Sequence, residues 1–307
     1  MSIQRLAAAC LFPSFEGAEA PDWIRRLLAE GGGGVVLFAT NVPSRESLAE
    51  LCAALHAERD GVLLAIDEEG GDVTRLEWEE GSSYPGNGAL GAIDDPALTG
   101  QTAEAIGGDL AAVGVNWDFA PVADVNVPLN PVIGARAFGD DPGLVAEHVA
   151  AFVRGLQRAG VAACAKHFPG HGATEQDSHL ELPTVAGPPD AGLPPFRAAI
   201  AAGVRSIMTA HVRVPAFGDE PASVNRRLID GLLRGELGYD GLVICDALDM
   251  KAVSASIGVE EAAVRALAAG VDALCLGPRF VEEQTAAIRA AIVAAVGAGR
   301  LSEERLA

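Results

Sequence analysis

Eight short apolar runs punctuate the chain, each followed by a stretch long enough for a helix or a long loop. They are LAAACLF (6–12), GVVLF (34–38), VLLAID (62–67), VNWDFAPV (115–122), AACAKHF (162–168), SIMTAH (206–211), LVICDA (242–247) and ALCLG (273–277). Runs of this kind are strand candidates. The Ala- and Leu-rich segments between them, such as RESLAELCAALHAE and PGLVAEHVAAFVRGLQRAG, place apolar residues at i, i+3 and i+4, which is the helical period. Several end in glycine, as helix C-termini prefer: RAG before the fifth run, AAG before the sixth and eighth. Eight such units in 307 residues predict one α/β domain over 1–307, a single (β/α)8 barrel. A doubly wound open sheet is the alternative, and no GxGxxG follows an early run to favour it. The final GRLSEERLA has the pattern of the first turns of a new helix, so the chain is either naturally short or a fragment with its C-terminal helix cut.

Half the residues are hydrophobic with few aromatics, so Ala, Val and Leu must build the core. A formal net charge of −20 repels phosphate backbones and anionic lipid, which argues against nucleic-acid and membrane partners. No apolar run reaches the roughly 18 residues of a membrane span. The start, MSIQRLAAACLF, loosely resembles a lipoprotein cleavage box, but nine residues before Cys10 cannot hold a charged region plus about 7–15 apolar residues. It is expected to be the first strand. Five widely spaced cysteines with no CxxC pair fit buried free thiols, a reducing compartment and a cytoplasmic protein.

In a barrel, functional groups sit at the C-terminal ends of the strands and in the loops that follow. Polar residues fall at those ends here: Asp67 after run three, Lys166 and His167 after run five, His211 after run six, Asp246 after run seven. Each lies beside apolar residues and needs a partner or a ligand. One alone would be an ordinary satisfied polar group; five at one rim predict a concave polar pocket. The segment KHFPGHGATEQDSH (166–179) adds three of the six histidines among prolines and glycines.

The blocks AIDEEGGDVTRL (65–76), GVNWDFAPVADVNVPLNPVIGARAFGDDP (114–142), KHFPGHGATEQDSH, MTAHVRVPAF (208–217) and LGYDGLVICDALDM (237–250) together resemble glycoside hydrolase family 3. They are most similar to its bacterial β-N-acetylglucosaminidase (NagZ-type) branch, in order and across nearly the whole chain. The resemblance implies a (β/α)8 barrel and retaining hydrolysis through a covalent glycosyl-enzyme intermediate. It implies that Asp246 is the nucleophile and His179 the acid/base, oriented by Asp177. It places Asp67, Arg75, Arg136, Lys166 and His167 on the sugar. It also implies an exo-acting β-N-acetylhexosaminidase that releases terminal GlcNAc from small glycans, with peptidoglycan (muropeptide) fragments as the natural class. Neither cofactor nor metal is expected, and the protein is expected to be a monomer. Two departures stand out. Asp72 follows Gly70–Gly71 where the family often has Arg, and Cys-Asp-Ala-Leu-Asp-Met (245–250) replaces S-D-D-L-S-M. Asp249 is thus a second carboxylate three residues after Asp246, expected to point elsewhere.

The chemistry can also be argued from the residues. A retaining glycosidase needs a carboxylate to attack the anomeric carbon and a second group to protonate the leaving oxygen. Asp246 must stay ionised, and Lys166 or Arg136 nearby would lower its pKa. A histidine starts near pKa 6.5 and can serve as the acid without heavy desolvation. Asp177, two residues before His179, can accept the other ring N–H and fix the tautomer. Pro169, Gly170 and Gly172 break regular structure, so the dyad would ride on a loop that could close over the site. Other assignments are weaker. The histidine spacings of four and eight residues match no zinc pattern. Lys166 could be a Schiff-base lysine, but with His167 beside it the family resemblance implies a sugar-binding role instead. His56 and His148 sit in helix patterns and are expected to have no function, EWEE (77–80) is expected to form a solvated loop or to rim the substrate cleft, and Trp78 and Trp117 are expected to be packing residues, with an exposed Trp stacking on sugar as the alternative. A phosphorylase on the same residues and a non-catalytic sugar-binding barrel remain as alternatives.

Overall fold

The computed structural model describes residues 1–127, 130, 132–174, 181–185, 190–278 and 280–307. Eight parallel strands form a nearly closed barrel: β1 (Leu11–Pro13), β2 (Gly34–Leu37), β3 (Leu63–Ile66), β4 (Trp117–Asp118), β5 (Ala162–Phe168), β6 (Ser206–Thr209), β7 (Leu242–Cys245) and β8 (Ala273–Gly277). Ladder hydrogen bonds run β1-β8-β7-β6-β5-β4-β3-β2. β1 and β2 lie side by side without a ladder of their own, and near them the Gly33 N–H reaches the Ala8 carbonyl at 3.3 Å. Close approach at this seam needs glycine: a Cβ on Gly33 would lie 2.2 Å from the Ala9 carbonyl oxygen and 2.7 Å from the Phe12 ring.

In chain order the helices are α1 (Ile3–Ala9), α2 (Asp22–Ala29), α3 (Arg45–His56), α4 (Asn87–Ile93), α5 (Pro96–Ala112), α6 (Pro142–Arg158), α7 (Leu193–Ala201), α8 (Lys251–Ile257), α9 (Val259–Ala269), α10 (Glu282–Gly297) and α11 (Glu303–Leu306). A π-helical segment, Arg227–Glu236, precedes β7. Two packed layers result, because every strand buries both faces. One layer lies between strands and helices. The other fills the barrel with Phe12, Val36, Ala65, Trp117, Cys164, Met208, Ile244 and Cys275 among its members. Trp117 anchors this inner layer. Its ring meets Phe12 and Phe119 edge-on at 5.3 and 5.0 Å, and its indole N–H donates to Ser206 Oγ at 2.6 Å. The five cysteines are free and buried.

Three expectations need correction. LAAACLF is not one strand. Residues 3–9 form α1, capped by Ser2 accepting from the Arg5 N–H, and only Leu11–Pro13 is strand. An Ala-rich apolar run carries too little period to separate a buried helix from a strand. The fourth strand is two residues long rather than eight, although Ala120 and Pro121 beyond it still accept from the Cys164 and Lys166 N–H groups at 2.9 and 3.1 Å. Trp78 is about half exposed instead of packed.

Candidate active site

The C-terminal ends of the strands open into a cavity of about 320 Å³. Asp67, Arg75, Arg136, Lys166, His167 and Asp246 all line it; His211, expected at the same rim, is instead fully buried behind Ala247 and does not line the cavity. Asp177 and His179 lie outside the described residues. Asp72 is exposed and does not line the cavity.

The floor is an ion cluster built around the buried Lys166 and Glu69. Lys166 Nζ sits 2.7 Å from Asp67 Oδ1 and 2.6 Å from Glu69 Oε1. Arg136 grips Glu69 with two hydrogen bonds, Nη2 to Oε1 at 2.7 Å and Nε to Oε2 at 2.9 Å, and Arg75 Nη2 lies 3.3 Å from Asp67 Oδ2. Burial pushes both carboxyls up, but the cations outweigh it. Lys166 and Arg136 hold Glu69 down at about 2, and Lys166 and Arg75 hold Asp67 well below its ordinary value. Lys166 and Arg136 are correspondingly held more firmly protonated: burial works against their charge, and the carboxylates overcome it. Lys166 and His167 are consecutive, yet both face the cavity. The β5–β6 register slips between Ala165 and Phe168, which breaks the strict alternation of a strand.

Asp246 follows β7 directly. Its N–H donates to the Thr209 carbonyl at 2.9 Å, and its Oδ1 accepts the Ala247 N–H at 2.8 Å. Burial alone would raise its pKa. His167, His211, the Ala247 amide and Lys166, in that order, bring it below 3.8, so the group is a carboxylate at neutral pH. Arg136 is not among these leading influences. Burial lowers the pKa of His211 itself, against the pull of Asp246. Its Nε2 faces the Ala247 carbonyl at 3.0 Å, so that nitrogen carries the hydrogen and Nδ1 accepts from Ser223 Oγ at 2.7 Å.

Several residues that shape the site escape a reading of the sequence. Glu69 is one. Asp124 is another: fully buried, it takes His167 Nδ1 at 2.7 Å on one oxygen and the His171 N–H at 2.5 Å on the other. That leaves His167 Nε2 for the cavity. Glu68 accepts the Arg75 and Leu76 N–H groups at 2.8 and 3.0 Å, which folds the 67–76 loop back so that Arg75 reaches Asp67. The acids in AIDEEGG and APVAD were visible only as acids inside apolar stretches. Asp249 contradicts its expectation and lines the same cavity as Asp246.

Replacing Lys166 by Met tests the cluster. Pairing with Lys166 depresses the folded pKa values of Asp67 and Glu69 from 3.8 and 4.5, so its stabilisation is fully present above those values and fades as pH falls below them. Lys166→Met is expected to cost about 3 kcal/mol at pH 7, at the low end for a broken buried pair because Arg75 and Arg136 remain. The deficit narrows towards pH 3, measured by thermal unfolding across that range. An equal deficit at both ends would show that Lys166 contributes packing alone.

The model of the glycosyl hydrolase family 3 N-terminal domain matches residues 17–307. A β-hexosaminidase of Stenotrophomonas maltophilia is 37% identical over 306 residues, covering 94% of this chain and 90% of that protein. One from Bordetella avium is 40% identical over 251 residues, 78% of this chain and 72% of that protein. Among solved structures, a family 3 β-N-acetylglucosaminidase from Paenibacillus superposes with a TM-score of 0.95 at 44% identity. That match covers all of this chain but 60% of the Paenibacillus chain. A β-N-acetylhexosaminidase from Beutenbergia cavernae gives 0.89 at 29% identity, with 100% and 95% covered.

Proposed function

The chain belongs to glycoside hydrolase family 3, and on that premise we propose that it is a retaining exo-β-N-acetylglucosaminidase acting on small glycans, muropeptide fragments above all. One observation carries this reading. A half-buried aspartate, its pKa held below the ordinary value, stands at the end of β7 in a cavity whose facing wall is a cross-linked set of carboxylates and cations. Asp246 is the nucleophile for the anomeric carbon. Asp67, Lys166, Arg136 and Arg75 form a rigid polar cradle for sugar hydroxyls, and His167, held by Asp124, adds a directed ring nitrogen. Such a cradle suits exo action, since hydroxyls of a terminal sugar need fixed donors and acceptors.

The general acid/base is assigned to His179, with Asp177 setting its tautomer; the sequence alone supports that assignment. Protonated, the imidazolium gives its proton to the glycosidic oxygen as Asp246 attacks. Neutral, it takes one from the water that releases the sugar. A cytoplasmic monomer matches the acidic surface and the buried free thiols. Among the described residues no helix is long and apolar enough to cross a membrane.

The test compares a chromogenic β-GlcNAc substrate with the corresponding β-glucoside, with and without phosphate. Strong preference for GlcNAc, with free sugar as the product in phosphate, is expected. GlcNAc 1-phosphate as the main product would make it a phosphorylase, and binding without turnover a lectin-like barrel. The reaction is expected to run on side chains alone, so exhaustive chelation should leave full activity; a loss restored by added metal would overturn this.

A further inference from the structure

The cavity has two unlike walls. From β3, the 134–136 turn and β5 come the charged groups of the ion cluster. From β2, β8 and the segment after β7 come Val36, Phe38, Cys275, Pro278 and Met250, a predominantly apolar surface. Asp246 stands at the β7 side between them, and Asp249 is a second carboxyl group on the apolar side. Its place is built into the backbone. The Leu248 N–H donates to the Cys275 carbonyl at 3.0 Å, which pins this segment to the end of β8. Gly277 leaves the space that Asp249 fills, since a Cβ there would lie 2.2 Å from Asp249 Oδ1. Ser254 Oγ donates to the Asp249 carbonyl at 3.3 Å from the start of α8.

An oxygen acceptor set in an apolar wall, three residues from the nucleophile, matches one substituent of the sugar in particular. The carbon next to the anomeric centre carries the acetamido group, an N–H donor attached to an acetyl methyl. We propose that Asp249 is the specificity-determining residue for that group: its carboxyl accepts the acetamido N–H while the methyl lies on the apolar wall. This rests on the reading of the substrate as a β-GlcNAc glycoside. The role is recognition only, and no bond is made or broken at Asp249.

The experiment crosses a substrate lacking the donor with a protein lacking the acceptor. Two aryl glycosides are compared, one with the 2-acetamido group and one with a 2-O-acetyl group, which keeps the acetyl and loses the N–H. The unmodified enzyme should favour the acetamide by roughly ten- to hundredfold in kcat/KM, the range for a hydrogen bond to a charged group. Asp249→Ala should bring that ratio close to one. Asp249→Asn keeps the shape and an acceptor oxygen and should give an intermediate ratio, which guards against a fold lost in the alanine variant. A ratio unchanged in both variants overturns the proposal. If instead the unmodified enzyme fails to hydrolyse the acetamide at all, the reading of the substrate is what has failed.

Discussion

Asp246→Asn is expected to lower turnover by about 10⁴-fold or more while leaving the affinity for GlcNAc nearly intact. The asparagine keeps the shape of the side chain and can still accept the Ala247 N–H, but it cannot displace a leaving group from the anomeric carbon. Binding persists because the cradle of Asp67, Lys166, Glu69 and Arg136 is cross-linked within itself and does not depend on Asp246. The same aspartate should carry the sugar when a 2-fluoro or 5-fluoro glycosyl inhibitor traps the intermediate, identified by peptide mapping. A label on Asp249 or Asp67 would refute the assignment, and both line the cavity closely enough to make the experiment informative.

His179→Ala should separate substrates by their leaving groups. An aryl glycoside with a nitrophenolate departs with little protonation, whereas a sugar alkoxide needs the proton. Glycosylation should therefore fall by about 10²–10⁴-fold for muropeptide-like substrates and far less for activated aryl glycosides. Release of the sugar from Asp246 should be slow for every substrate, since water has lost its base, and azide should speed it. Asp177→Ala should move in the same direction more mildly, because the imidazole remains but its tautomer is no longer fixed. Equal slowing of aryl glycosides and glycan fragments by His179→Ala would locate the acid elsewhere. The pair His167–Asp124 would then be the next candidate, being a histidine held by a buried carboxylate on the cavity wall.

The barrel was largely legible because strands buried on both faces leave dense apolar runs. The fifth and eighth runs match β5 and β8 residue for residue. The failures have physical causes. At the N-terminus, Ser2 starts a helix in a stretch whose apolar residues are too uniform to show a period. Within the site, the charges of Asp67, Arg136 and Lys166 were visible, as was the rim on which they meet. Glu69 and Asp124 were not, since a carboxylate's burial depends on which distant cation or ring the fold brings to it. Asp249 misled for a similar reason. Spacing along a turn says little about direction until the neighbouring strand, here with glycine at 277, defines where there is room.

The seam between the first and second strands also has a meaning in time. On a ribosome β1 is made early, but the strand it bonds to is β8, and Ser14 just beyond it donates to Gly277, 263 residues further along. For most of synthesis the first strand has no ladder to join. The seven strands from β2 to β8 can assemble in the order in which they emerge, each against its predecessor. Arrival of the last strand is what docks the oldest one, and this long-range pairing is the slow kind. A chain truncated before β8 therefore lacks the ladder that β1 joins, and β1 must rely on packing such as that of Phe12 against Trp117.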